Sequence, residues 1–471
     1  MKSNRSAKEI LQDYFGYSSF RSSQAEIINK IVNREHCLVI MPTGMGKSLC
    51  YQVPALVFDG LTVVISPLIA LMKDQVDALR QRKIDATFIN SSLTKQEREK
   101  RYDDLRQGKY KLLYVTPERF RKQDFVEIIS SRNIDLLAVD EAHCISEWGH
   151  DFRPDFTRIT EFRQLIGNPT TIALTATATP EVQDDIIRHL GLQKNEISLY
   201  HEGIHRPNLN LSVKSVYGEE EKLTELLKIT DNTAHGNGII YFALIKNLNY
   251  FSDLLHRKGI SHLCYHGDLN KDERKRIQNR FLGGSNTIVL ATNAFGMGID
   301  KSDIRFVIHN EIPQSLESYY QEIGRAGRDG KPSECLLLYD EQDLNIQLQF
   351  ITWQNPDADY YEKVYHFLES DLEKANAYGI EYIREQISFK NKHDFRLDTV
   401  LNMFDRYHVT SGSIDSKNLI IESELPDELI DNSRLATKLK REQEKLLSMV
   451  QYTKLENGHM DYINRYFGIP S

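Results

Sequence analysis

The chain has 471 residues, 40% of them hydrophobic, and its 59 Lys+Arg against 67 Asp+Glu give a net charge of −8. This length suggests about three domains, with enough apolar material for several buried cores. A uniformly basic nucleic-acid binder is excluded, so any contact with a phosphate backbone must be local and lie in a groove. Cys37, Cys50, Cys144, Cys264 and Cys335 form no C-x-x-C pair. They read as small buried thiols, with neither a disulfide framework nor a zinc site. Met1–Ser6 lacks the apolar segment of a secretory signal. No apolar run approaches the ~18 residues of a membrane span. A soluble, reduced, cytoplasmic protein with no membrane partner is expected.

Residues 7–33 read as helical, with Ile10, Leu11, Tyr14 and Phe15 and then Ile27, Ile28 and Ile31 at helical spacing. Between them lies Phe15-Gly-Tyr-Ser-Ser-Phe-Arg-Ser-Ser-Gln24. Gln24 has the donors and acceptor to meet an adenine edge, Tyr17 can stack on its ring, and Arg21 can reach base or phosphate. Taken alone, Gln24 reads as a surface residue of a helix near a glycine turn.

The apolar run Cys37–Ile40 leads into Met41-Pro-Thr-Gly-Met-Gly-Lys-Ser48, and a helix-compatible run follows. Strand, glycine-rich loop, helix is the context a phosphate-cradling loop requires. Gly44 and Gly46 let the backbone around Thr43 and Met45 turn its N–H groups inward. A helix beginning near Gly46 or Lys47 adds its partial positive end. Lys47 is placed to reach phosphates and the Ser48 hydroxyl to ligate Mg²⁺. The first glycine of G-x-x-x-x-G-K-[ST] is replaced by Met41. A chance glycine turn is the alternative, and Asp140-Glu-Ala-His143 at the end of Leu136–Val139 argues against it. Asp140 there can hold Mg²⁺ and Glu141 can orient and deprotonate water.

Further runs, Leu61–Ile65, Lys111–Val115, Leu136–Val139 and Thr171–Leu174, are mostly unbroken rather than alternating. Such strands are buried on both faces in a parallel sheet covered by helices. Ser66-Pro67, Thr116–Glu118, Asp140-Glu141 and Thr175-Ala-Thr177 follow them directly, at the strand ends where open α/β sheets bind ligands. Asn195–Glu219 reads as a connector. Strands then resume at Gly238–Phe242, His262–Tyr265, Thr287–Leu290, Arg305–Ile308 and Cys335–Leu338, without a second phosphate loop. A charged amphipathic helix is predicted over Leu269–Phe281. Ala291–Asp300 places Gly296 and Asp300 at a strand end. In Gln321–Gly330, Arg325 and Arg328 stand three apart, on one face if helical, with glycines between them that a solvated helix would avoid. An arginine reaching a γ-phosphate held by another domain fits that pattern.

Residues 346–471 carry 15 Lys+Arg and 21 Asp+Glu, or −6 of the −8. Helices are predicted over Asp359–Tyr378, Ile380–Ile387, Phe395–Tyr407 and Leu435–Tyr452, with a short strand at Leu419–Ile421. The pattern suits a small, mostly helical, winged-helix-like unit. The expected class is α/β, with two tandem parallel-sheet domains over residues 1–205 and 206–345 and a C-terminal accessory region over 346–471.

The ordered motifs resemble those of the RecQ-type DNA helicases of superfamily 2, over roughly residues 7–345. Most diagnostic is Cys144-Ile-Ser-Glu-Trp-Gly-His-Asp-Phe-Arg-Pro154, which looks like the family's aromatic-rich loop. Trp148, Phe152 and Arg153 offer stacking faces to unstacked bases, an aromatic platform being worth about 1–3 kcal/mol per base. The resemblance implies two RecA-like domains with ATP between them and 3′→5′ movement along single-stranded DNA. It assigns Tyr17, Arg21 and Gln24 to adenine, Lys47 and Ser48 to phosphates and Mg²⁺, and Asp140 and Glu141 to Mg²⁺ and water. His143, Thr175 and Thr177 would couple hydrolysis to motion, as would Gly296 and Asp300 in the second block. Arg325 and Arg328 would complete the site, one as the finger.

The family commonly adds a four-cysteine zinc module. Here Gly458–Gly468 resembles its start, but Gly458 stands where the first cysteine would be, so no zinc is expected. The implied function is an ATP-dependent DNA helicase of repair and recombination. It would act as a monomer on single-stranded and partly duplex DNA, and be nucleoid-associated if bacterial. Its alternatives are a DNA-stimulated ATPase or translocase with weak unwinding and a non-catalytic nucleic-acid-binding scaffold.

Overall fold

The computed structural model describes residues 5–42, 44–146, 154–203, 206–230, 236–296, 299, 301–387 and 394–469. The first body is built on β1 (His36–Ile40), β2 (Leu61–Ile65), β3 (Ala86–Ile89), β4 (Leu112–Val115), β5 (Ile134–Val139), β6 (Thr170–Thr175) and β7 (Ile197–His201). They form one parallel sheet in the order β3-β4-β2-β5-β6-β1-β7. The second is built on β8 (Leu209–Ser215), β9 (Asn237–Tyr241), β10 (His262–Tyr265), β11 (Ile288–Ala291), β12 (Ile304–His309) and β13 (Ser333–Tyr339). These are also parallel, in the order β10-β11-β9-β12-β13-β8.

The two-residue period of a strand explains why these runs are apolar throughout. Along β1, Leu38 and Ile40 enter one core while Cys37 and Val39 enter the core on the other face. Along β9, Ile239 and Tyr241 divide from Ile240 in the same way. Each fully buried aliphatic side chain contributes about 1.5–3 kcal/mol. Cys37, Cys50, Cys144 and Cys335 are buried thiols, and Cys264 is half-buried.

One expectation needs correction. The connector expected over Asn195–Glu219 contains two strands, β7 and β8. Both lie at sheet edges and are partly solvated, so their sequences mix polar with apolar residues and lack the unbroken apolar signature. The opposite edge strand of the first sheet, β3, is only four residues long, and Thr87 interrupts its apolar run. It too carries no signature in the sequence.

Beyond β13 the chain forms helices Leu344–Gln354, Ala358–Tyr378, Ile380–Ile387 and Arg396–Arg406, then a hairpin of β14 (Thr410–Ser411) and β15 (Ile420–Ile421). Helices Asn432–Thr453 and His459–Tyr466 follow. The middle part has its own core, including Val364, Leu368, Ile383, Val400 and Phe404. The last two helices return to the second sheet, where Met449, Tyr452, Ile463 and Phe467 join its core. Residues 357–431 hold 8 Lys+Arg and 17 Asp+Glu, so the remainder of the chain is close to neutral. The C-terminal part also meets the first body, through Arg441–Glu181 at 3.2 Å and His408–Asp155 at 4.0 Å.

Candidate nucleotide site

The loop after β1 leads to the helix Leu49–Val57, two residues later than the nearest expected start. Gly44 and Gly46 have φ of +84° and +81°, a conformation that glycine adopts without a Cβ penalty. Leu49 N donates to Gly46 O at 3.1 Å and Cys50 N to Lys47 O at 3.0 Å, so the helix is entered through a tight turn. The Lys47 ammonium is buried beside this turn with no hydrogen-bond partner. Such an orphaned cation fits a phosphate.

Gln24 is 1% exposed, which overturns the surface reading of that residue. Its Nε2 donates to Met45 O at 2.9 Å and Gly46 O at 3.1 Å, while its Oε1 accepts from Arg21 N at 2.9 Å. Its amide is therefore engaged with the loop backbone. Tyr17 and Arg21 line the same cavity.

Asp140 follows β5, its N–H donating to Ile65 O at 2.8 Å. Burial first, then the Glu141 carboxylate, pushes the Asp140 carboxyl up to about 7, while Lys47 pulls the other way. Two adjacent carboxylates in a poorly solvated site suit a divalent cation, which would remove that penalty. Glu141 has φ 50° and ψ 47°, a left-handed conformation unfavourable for a residue with a Cβ. His143 Nδ1 lies 2.9 Å from Thr175 Oγ1 and 3.5 Å from Glu141 Oε2. Thr177 N donates to the same Thr175 hydroxyl at 3.3 Å.

The second body supplies the facing wall. Arg325, 9% exposed, donates from Nη1 to Gly296 O within its own body. Arg328 crosses the cleft, and a Cβ added at Gly44 would stand 3.2 Å from its Cγ and Cδ. The helix Leu316–Ile323 ends before either arginine. They lie on successive turns, so the shared helical face expected from their spacing is not formed. Gly327, at φ +56°, re-aims the chain between them.

Together these groups line one cavity of about 750 Å³, with Lys47, Ser48, Asp140, Glu141 and His143 on one side and Gly296, Arg325 and Arg328 on the other. Gly44, Met45 and Gly46 also face it. Thr175 and Thr177 are buried behind His143. Thr43, Trp148, Phe152, Arg153 and Asp300 lie outside the described residues. Asp74 and Gln75 reach the cavity wall too. Nothing in their helical, charged surroundings distinguishes them in the sequence.

The DEAD/DEAH box helicase family profile matches residues 21–186, and the helicase conserved C-terminal domain profile matches 220–330. The ATP-dependent DNA helicase RecQ of Bacillus subtilis is 49% identical over 343 residues, 72% of this chain and 57% of that protein. RecQ of Haemophilus influenzae is 43% identical over 371 residues, covering 79% and 59%. The probable ATP-dependent DNA helicase RecS of B. subtilis is 40% identical over 369 residues, and the match spans 78% of this chain and 73% of that protein. The chain belongs to the RecQ family. It spans 57% and 59% of the lengths of the two RecQ proteins.

Solved structures carry the same fold at low identity. The DUF1998 helicase MrfA, bound to DNA and AMPPNP, aligns at TM-score 0.60 and 18% identity over 74% of this chain and 52% of that one. Saccharomyces cerevisiae Dbp5, bound to RNA and ADP BeF3, aligns at 0.56 and 17% over 72% and 88%. Both sheets of this RecQ-family chain are thus RecA-like. Among the described residues, no helix is long and apolar enough to cross a membrane.

Proposed function

We propose that this RecQ-family chain is an ATP-dependent 3′→5′ DNA helicase. It couples Mg-ATP hydrolysis to movement on single-stranded DNA and to duplex separation, in repair and recombination. One observation carries the reading: the unpartnered Lys47 ammonium shares a cavity with Asp140 and Glu141 of its own body and with Arg325 and Arg328 of the other.

Lys47 and the backbone N–H groups of the loop would hold the phosphates, and Ser48 and Asp140 would hold Mg²⁺. The bound cation would offset phosphate charge. Glu141, in a left-handed backbone conformation, would orient water and accept its proton. Arg328, already against Gly44, is the arginine assigned to the γ-phosphate. Arg325, tied to Gly296 O, would report the state of the second body. Tyr17 and Arg21 would receive the base, with Gln24 holding the loop beneath it.

Trp148, Phe152 and Arg153 would stack and hold single-stranded DNA. Their segment starts within a few residues of His143 and ends at the 3₁₀ segment Pro154–Arg158. That proximity supports communication from DNA to the ATP site. The near-neutral body outside the acidic 357–431 segment leaves DNA attraction to local groups.

The test is unwinding of a duplex with a 3′ single-stranded tail, run beside ATPase on the same DNA, with Lys47→Ala as control. ATP- and Lys47-dependent strand separation is expected. DNA-stimulated ATPase without separation would assign a translocase, and neither activity in folded protein would favour a binding scaffold.

A further inference from the structure

The connector between the two sheets is fastened at both ends to the catalytic elements. At its start, Glu202 N donates to Ile40 O at 3.0 Å, and Glu202 Oε1 accepts from Ser23 N at 2.8 Å. Ile40 is the last residue of β1 and delivers the phosphate loop. Four residues later, Arg206 is buried beneath the turn that carries the two arginines. Its Nη2 donates to Ala326 O and to Gly327 O, both at 2.8 Å. Asn208 Nδ2 donates to Gly327 O and Lys331 O, both at 2.9 Å. Ser333 N donates to Asn208 O at 2.9 Å, which seats the connector at the start of β13.

The fit leaves no room for change at Gly327. It combines φ +56° with a site where a Cβ would stand 2.4 Å from Asn208 Nδ2. Glycine is required on both counts. The Ala326 carbonyl is thereby satisfied by Arg206, and the Gly327 carbonyl by Arg206 and Asn208 together with Gly330 N at 3.0 Å within the turn.

Covalent geometry makes these anchors mechanical. Four residues span at most about 14 Å. The base of the phosphate loop and the arginine turn, pinned to the two ends of this short stretch, therefore cannot move apart beyond that reach without breaking one anchor.

We propose that Arg206 and Asn208 are positioning residues, clamping the arginine turn to the connector so that domain closure delivers Arg328 and Arg325 to one place relative to the phosphate loop. The inference rests on the ATPase reading above. Neither residue lines the cavity; both act through the turn.

The test uses the full chain with Arg206→Ala, Arg206→Lys, Asn208→Ala, Arg328→Ala and the Arg206→Ala/Arg328→Ala double variant. Arg206→Ala is expected to lower the kcat of DNA-stimulated ATP turnover about 10–100-fold, the scale of a misplaced catalytic group. The KM for ATP and the affinity for a fluorescent non-hydrolysable ATP analogue should stay within about twofold. Arg206→Lys, which keeps donors for the two carbonyls, should recover most of the loss, and Asn208→Ala should show a smaller loss of the same kind. In the Arg328→Ala background, Arg206→Ala should cost little more. Independently of turnover, amide exchange across 324–331 should speed up in Arg206→Ala and Asn208→Ala while the helix Leu316–Ile323 keeps its protection.

Should Arg206→Ala fail to fold, Asn208→Ala carries the test, because it removes two bonds to the turn and the 3.4 Å bond from Arg206 Nε at a half-buried position, while Arg206 keeps its bonds to Ala326 O and Gly327 O. Unchanged exchange at the turn, additive losses in the double variant, or equal loss of analogue binding would overturn the clamp. Wild-type protein without ATPase, or Arg328→Ala with full activity, would instead strike the underlying reading and the clamp with it.

Discussion

His143 Nδ1 lies 2.9 Å from the Thr175 hydroxyl, which in turn lies 3.0 Å from Thr177 O. A threonine hydroxyl has one proton, and here it goes to the Thr177 carbonyl. With that proton so placed, Thr175 Oγ1 accepts from His143 in the tautomer that carries a proton on Nδ1. Met41 N donates to Thr175 O at 3.0 Å. Thr175 thus touches both the start of the phosphate loop and the histidine beside Glu141. Thr175→Val should leave ATP-analogue binding near the wild-type value and lower DNA-stimulated turnover about tenfold, a loss of order 1.4 kcal/mol in the barrier. Thr175→Ser should retain most activity. Full stimulation in Thr175→Val would remove the relay.

The unpartnered Lys47 ammonium makes a separate demand. Lys47→Ala should weaken nucleotide binding by about 10–100-fold, the value of a hydrogen bond to a charged group. Glu141→Gln should bind nucleotide normally and lose about 10²–10⁴ in turnover, because the amide cannot take a proton. Chelation of Mg²⁺ should abolish turnover in all forms. Equilibrium binding and single-turnover hydrolysis separate the two variants, and equal binding defects in both would contradict their assigned roles.

Trp148→Ala is expected to reduce DNA stimulation of the ATPase more than basal nucleotide binding, through loss of a stacking platform worth about 1–3 kcal/mol. Titration of ATPase rate against single-stranded DNA length and concentration measures it. An unchanged stimulation curve would deny the loop its coupling role.

A stability prediction arises at the buried pair Lys222–Asp343, joined by N–H···O contacts of 2.7 and 2.9 Å. Burial pushes the Asp343 carboxyl up to about 7, against the pull of Lys222. An unfolded aspartate titrates near about 3.9. The folded chain therefore holds this proton more tightly between those values. The associated stability is fully present below about pH 4 and is lost as pH rises through about 7. Asp343→Asn should flatten that part of the stability-versus-pH curve. Lys222→Met should cost about 3–5 kcal/mol at pH 8, where it strands a buried carboxylate, and less at pH 5. Denaturant melts at the two pH values decide it, and a pH-independent cost would refute the assignment.

Much of this protein is legible before any coordinates. Unbroken apolar runs announce parallel, doubly covered strands, because a residue buried on either face must be apolar whatever its parity. Glycines at 44 and 46, the Asp140-Glu141 pair and the Arg325/Arg328 pair stand out as candidates, since each signal lies within a few residues. Edge strands β7 and β8 escape this signal because partly solvated strands mix polar and apolar residues and look like connectors, and β3 escapes it by being short. Gln24 looks like a surface residue because its carbonyl partners, Met45 and Gly46, are 21 and 22 positions away. The net charge of −8 is equally uninformative about the motor, because the 8 Lys+Arg and 17 Asp+Glu of 357–431 alone give −9.

The sequence by itself determined the two α/β blocks, the glycine loop after β1 and the candidate groups at the strand ends. These follow from local periodicity, from backbone permissiveness and from side-chain chemistry. Only the tertiary structure decided that β6 lies between β5 and β1, which sets Thr175 beside His143 and beneath Met41. It alone decided that Arg328 crosses to Gly44 while Arg325 stays with Gly296, and that Arg206 closes on the turn between them. Those relationships join residues tens to hundreds of positions apart. They are fixed by strand order and by the packing of one body on another, to which no local pattern is sensitive.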